Sequence, residues 1–303
     1  MYGQFRLREG AVMSIPFPTL DALRPLWLLL ILLSANPVVA GTVRIQQSDG
    51  LEATAELLEG DPDLQPLLIL HGFLQTSDFF TVRRLGVALN DAGYTVLLPT
   101  LTLGINHRRQ SLACEAIHSH SMTQDVAEIS HWVDWLHRRS GKPVTLIGHS
   151  AGSLMLLAYL DGRADPPVGQ TLMISLVPFL QGPIAKERET DRERALRQRS
   201  VDPDAIASYP LAFCDSYVTT AGDYLSYLEW DSEKSLDSLN KLVHKPIIIL
   251  GSRDTRLGSD WMPRLRQASV EVIEIPGANH FFNNEYEFDL VDTISDLLQR
   301  YNN

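Results

Sequence analysis

Pro143-Val144-Thr145-Leu146-Ile147-Gly148-His149-Ser150-Ala151-Gly152 decides the fold. Apolar and β-branched residues run into a G-x-S-x-G pentapeptide, and a second apolar run, Leu154 to Leu160, follows it. This pattern predicts a buried strand, a very tight turn and a helix. A serine on such a turn is lifted above the sheet edge, where a base can reach its hydroxyl. Glycines are required there because the turn is crowded and a Cβ would clash. The pentapeptide alone is short enough to arise by chance, so its meaning rests on the rest of the chain.

Working outward, strands and helices alternate. Thr42 to Gln47 and Leu51 to Leu58 read as an antiparallel hairpin turning at Asp49-Gly50. Pro66 to Leu70 is a short apolar run ending at His71-Gly72. Phe79 to Asn90 reads as a helix, Tyr94 to Leu98 as a strand closed by Pro99, and Thr100 to Ser121 as a polar loop. Met122 to Arg139 is amphipathic, with Val126, Ile129, Trp132, Val133 and Leu136 at three- and four-residue steps. Ser121 is its cap, and Gly141 and Pro143 end it. Thr171 to Val177, Ile247 to Leu250 and Val270 to Ile275 are further strands, and Tyr286 to Tyr301 is a final helix. Apolar strands alternating with helices imply a mostly parallel sheet covered on both faces.

One segment breaks the alternation, about 180–242. It holds a charged helix, Lys186 to Arg199, and then Tyr209, Phe213, Tyr217, Tyr224, Tyr227 and Trp230. It is too long for a crossover loop and reads as a helical insertion lying over the sheet edge.

A serine hydroxyl is a poor nucleophile near neutral pH and needs a base, which in turn needs a group to fix its tautomer. Asp254, in Gly251-Ser252-Arg253-Asp254, directly follows the strand Ile247 to Leu250. His280, in Gly277-Ala278-Asn279-His280, follows the strand Val270 to Ile275. Both are thus presented at carboxyl ends of strands, where ligands meet such sheets. Taken singly, an aspartate after a strand is a turn residue and a loop histidine a satisfied polar group; together with Ser150 they form an ordered Ser, Asp, His set. His71-Gly72-Phe73 follows the strand ending at Leu70, so the amides of Phe73 and Ala151 are candidate donors to an oxyanion. His71 and His149 read as supports for their own loops.

From Thr42 to Tyr301 the chain resembles the α/β-hydrolase superfamily, on the strength of His71-Gly72-Phe73, Gly148-His149-Ser150-Ala151-Gly152, Asp254 and His280. The resemblance implies an eight-stranded, mostly parallel sheet with helices on both faces. It also implies a variable lid between the sixth strand and the helix before the seventh, and serine chemistry on an acyl group. No lipase-type run of glycines follows His71. Serine at position 150 disfavours the relatives with an aspartate nucleophile, the epoxide hydrolases and haloalkane dehalogenases.

The expectation is an exported serine esterase, periplasmic or secreted and lipase- or carboxylesterase-like, acting on a small acyl ester through Ser150, with no metal or organic cofactor. A thioesterase or aminopeptidase-like amidase would share the triad, and a non-catalytic binding protein could share the scaffold.

The remaining features bound this reading. The net charge of -11 over 303 residues, with no basic stripe, argues against nucleic acid. Residues 1–40 read as a signal peptide: Arg24, the apolar core Leu26 to Leu33, and Val38-Val39-Ala40 before Gly41. An uncleaved anchor associating with a membrane is the alternative, and Met13 is an alternative start. Residues 41–303 would form the catalytic domain. In an oxidising compartment Cys114 and Cys214 can pair, two separate buried thiols being the other option. His118 and His120 lie in the polar loop with no further ligand nearby, so a solvated loop is preferred to a metal site. Glu193 and Arg197 on the charged helix read as a solvated i,i+4 pair.

Overall fold

The computed structural model describes residues 40–179 and 189–302. The leader up to residue 39 lies outside these, as does the start of the charged helix at Lys186. The described residues belong to one unit. Ten strands and eight helices are described: β1 Ala40–Gln46, β2 Glu52–Leu58, β3 Leu67–Leu70, α1 Phe80–Asp91, β4 Val96–Thr100, α2 Met122–Ser140, β5 Val144–His149, α3 Ala151–Asp161, β6 Val168–Ile174, α4 Glu189–Val201, β7 Ile206–Leu211, β8 Cys214–Thr220, α5 Ala221–Leu228, α6 Ser232–Lys241, β9 Ile247–Gly251, α7 Gly258–Gln267, β10 Glu271–Ile275 and α8 Tyr286–Asn302.

Eight strands form one sheet in the order β1-β2-β4-β3-β5-β6-β9-β10. The β1–β2 and β2–β4 pairs are antiparallel; every other pair is parallel. This is the α/β-hydrolase fold. The apolar runs explain the arrangement, because β3 and β5 are buried along their whole length and only a strand covered on both faces tolerates that. One layer packs Trp132, Leu154, Tyr159 and Trp261 against the sheet; the other packs Val82, Leu85, Ile294 and Leu298. Gly50 turns the first hairpin at φ 89°. Ser121 and Gln124 make a reciprocal capping box at the start of α2, which ends at a left-handed Gly141.

Two elements differ from expectation. Pro99 does not close β4 but lies inside it, opposite Ala55. Pairing of β4 with β3 ends at Leu97, so the proline needs no N–H on that side. The insertion between β6 and β9 is also not purely helical: β7 and β8 form an antiparallel hairpin between α4 and α5. Tyr209 and Tyr217 face each other across that hairpin and both are buried, so these aromatics sit at strand spacing and serve as core. The exposed Glu193–Arg197 pair forms on α4. A disulfide joins Cys114 to Cys214, a separation of 100 residues, and ties the hairpin to the loop before α2. Among the described residues no helix is long and apolar enough to cross a membrane.

Candidate active site

Ser150 sits between β5 and α3 with φ 56° and ψ -124°, a left-handed conformation costly for a residue with a Cβ. Its amide donates to Ile174 O (2.9 Å), which pins the strained residue to the neighbouring strand. Gly152 must be glycine because a Cβ there would stand 2.4 Å from the His71 carbonyl; this close approach brings the loop after β3 against the turn. Gly251, at the end of β9, plays the same part toward the histidine loop, since a Cβ would meet Ala278 O at 2.3 Å.

The strand ends bring Ser150, His280 and Asp254 together. His280 Nε2 lies 2.9 Å from Ser150 Oγ, and His280 Nδ1 lies 2.7 Å from Asp254 Oδ2. Asp254 and His280 are buried while Ser150 is partly accessible. Burial by itself would raise the Asp254 pKa. The hydrogen bond and charge of His280, the Ser175 hydroxyl and the Arg256 amide outweigh it and hold the carboxyl below its ordinary range. An acceptor-only carboxylate at Nδ1 leaves the lone pair of Nε2 facing the serine.

Sequence reasoning does not single out Ser175. It follows β6, has φ 48° and is fully buried. Its Oγ donates to Asp254 Oδ2 at 2.9 Å and lies 3.3 Å from His280 O. Its position at a carboxyl end was the only available signal.

The loop after β3 is braced from behind. Leu101 N donates to His71 Nε2 (3.2 Å), which leaves Nδ1 to donate to Gly72 O (2.8 Å). Burial, with the Arg108 charge adding to it, holds the His71 pKa down to about 3, so the ring is neutral. Arg108 Nη2 donates to Gln75 O (2.7 Å), and Gly72 N to Gln75 Oε1 (3.1 Å). Among the described residues neither the Phe73 nor the Ala151 amide has an acceptor. Ala151 also opens α3, so its N–H belongs to the electropositive helix end. His149 Nε2 donates to His280 O (2.9 Å), and burial followed by the nearby His280 holds its pKa to about 3. Both histidines are supports.

His118 and His120 are not solvated, contrary to expectation; both are buried. Tyr217 Oη lies 3.1 Å from His120 Nε2, and His120 Nδ1 lies 3.1 Å from Asp125 Oδ1. Tyr227 Oη donates to Asp125 Oδ2. His118 stacks on the Tyr217 ring, with centroids 4.1 Å apart. These partners lie on α2, β8 and α5, and no reading of the loop alone reaches them. Among the described residues no cluster of metal-ligating side chains occurs. The same tyrosines pack on Phe73, whose ring is 5.5 Å from Tyr217, 5.9 Å from Tyr227 and 5.4 Å from Phe179. The insertion is therefore anchored on Phe73, in the loop after β3.

The alpha/beta hydrolase family model matches residues 67–293. The chain belongs to the alpha/beta hydrolase family. No curated protein sequence matches it. Among solved structures, the alpha/beta hydrolase GrgF from Penicillium sp. sh18 superposes with a TM-score of 0.66 at 15% identity, covering 87% of this chain and 99% of that one. A soluble variant of monoglyceride lipase from Saccharomyces cerevisiae, in complex with a substrate analog, gives 0.66 at 15% identity over 88% and 97%. Est1E from Butyrivibrio proteoclasticus with bound ferulic acid gives 0.63 at 18% identity over 86% and 98%. At such identities the likeness is one of fold.

Proposed function

We propose that this family member is a serine hydrolase of carboxylic esters. Ser150 Oγ attacks the acyl carbon as its proton passes to His280 Nε2. Asp254 holds the imidazolium that forms. The amides of Phe73 and Ala151 stabilise the oxyanion of the tetrahedral intermediate, and loss of one such donor raises a barrier by about 3 kcal/mol. His280 returns the proton to the leaving alcohol oxygen, leaving an acyl group on Ser150. Water, deprotonated by His280, then attacks the acyl carbon; Ser150 leaves with the proton and the acid is released. No step requires a metal or cofactor.

The observation that supports this reading is the unbroken chain from Ser150 through His280 to Asp254, at 2.9 Å and 2.7 Å, beside two amides that have no acceptor among the described residues. The insertion serves as a cap over the acyl site, supported by its packing on Phe73. Export is part of the same reading: the Cys114–Cys214 disulfide suits an oxidising compartment.

The test is hydrolysis of p-nitrophenyl esters of graded chain length, with thioester and anilide analogues alongside. Ester turnover that disappears in Ser150→Ala is expected. Turnover of thioesters or anilides in preference to esters would replace the proposed bond target. Ligand binding without any turnover would make the chain a binder.

A further inference from the structure

Arg256 is two residues beyond Asp254, and its amide donates to Asp254 Oδ1 at 3.0 Å. Its guanidinium lies over two aromatic rings. The guanidinium carbon is 4.8 Å from the Phe281 ring centroid and 5.8 Å from that of Phe213, both within cation–π range. These rings border the reaction centre. The Phe281 ring is 5.1 Å from that of His280, and Phe213, at the tip of the β7–β8 hairpin, is 6.0 Å from Phe73. Arg256 therefore bridges the rim of the cap and the rim of the base.

Its lack of a counter-ion sets it apart. Arg84, Arg139, Arg163, Arg194 and Lys234 also lie over aromatic rings, and each of them also reaches a carboxylate. Among the described residues, the guanidinium of Arg256 has no carboxylate or carbonyl acceptor. Asp254, the charge it feels, is already engaged by His280 and Ser175. Arg256 is exposed, so, among the described residues, a cation without a counter-ion stands beside the triad in a chain of net charge -11 and is free to meet an incoming anion. Aromatic contact holds the guanidinium and leaves its in-plane N–H fork open, the geometry that takes a carboxylate in two parallel hydrogen bonds.

We propose that Arg256 reads a carboxylate carried by the substrate, so that the preferred esters bear one negative charge remote from the scissile bond. One guanidinium matches one such charge. This assignment rests on the ester hydrolase reading and narrows its substrate class to esters such as the monoesters of dicarboxylic acids.

The test compares p-nitrophenyl monoesters of succinic, glutaric, adipic and suberic acids with neutral p-nitrophenyl esters of equal chain length. For at least one length, the ratio of kcat/KM for the anionic over the neutral ester exceeds unity in the wild type. It falls by about tenfold to a hundredfold in Arg256→Gln, the range expected for charged hydrogen bonds. Arg256→Lys keeps part of the ratio, and the remote Arg44→Gln leaves it unchanged. A second readout does not depend on turnover. In Ser150→Ala, adipate or its neighbours in the series raise the melting temperature, and Arg256→Gln removes that shift. The proposal is overturned if no chain length favours the anion, if Arg256→Gln slows both esters equally, or if the diacid shift survives Arg256→Gln. Failure of every ester with the thermal shift intact would instead overturn the hydrolase reading and leave Arg256 as an anion site.

Discussion

Acid should destabilise this protein well above the range in which carboxylates titrate. His71, His149 and His118 are buried, and burial, reinforced by Arg108, His280 and His120 respectively, lowers their pKa values to about 3, about 3 and about 4. Each regains an ordinary value near 6.5 on unfolding. Between the two values the unfolded chain holds the extra proton, so stability falls as pH falls. At pH 5 each histidine lies 1.5 units below its unfolded pKa, about 2 kcal/mol at about 1.36 kcal/mol per unit. Glu128 acts in the opposite sense. Its burial raises the carboxyl to about 7, so acidification relieves a penalty of about 2 kcal/mol. Asp254, with a lowered pKa, loses its contribution only at still lower pH. The net expectation is a loss of about 4 kcal/mol from pH 7.5 to pH 5, with unfolding taking up about two protons between pH 5 and 6.5. That is a large share of the 5–15 kcal/mol typical of a domain. Urea unfolding followed by tryptophan fluorescence at stepped pH measures it directly. A stability that is flat or rising toward pH 5 would refute the buried neutral histidines, and with them the account of how the loop after β3 and the turn at Ser150 are held.

Ser175→Ala removes a hydrogen bond of about 1.5–3 kcal/mol to a charged carboxylate. We expect kcat on a p-nitrophenyl ester to fall roughly tenfold or more with KM within about twofold, together with a shifted acid limb of the kcat/KM profile. A change in KM alone would deny Ser175 a positioning role. Reduction of Cys114–Cys214, or its replacement by a pair of serines, should lower stability by up to about 4.7 kcal/mol, the chain-entropy value for a loop of this length. A urea midpoint unmoved by reductant would show that the link constrains little.

The parts of the fold that were legible in the sequence were those whose physics is local. Leu67–Leu70 and Val144–His149 are apolar throughout because both faces are covered. Ser121 with Gln124, Asp49-Gly50 and the Ser150 elbow are short-range signals with fixed geometry. The positions of Asp254 and His280 were readable because a strand end fixes where the next few residues stand. What escaped depends on distant partners. His118 and His120 look solvated until Tyr217 and Tyr227, about a hundred positions away, cover them. The hairpin of β7 and β8 was hidden because its tyrosines are also spaced plausibly for a helix, and the deciding fact is the cross-strand pairing of Tyr209 with Tyr217. Ser175 and Arg256 carry no motif; only contact with Asp254 and with Phe213 and Phe281 marks them.

The central claim is that three strand ends make one alcohol nucleophilic. A fluorophosphonate probe followed by peptide mass spectrometry tests it most directly. A single adduct on Ser150 is expected, absent in Ser150→Ala and formed at least about a thousandfold more slowly in His280→Ala. An adduct on another residue, or labelling at an undiminished rate without His280, would contradict the account.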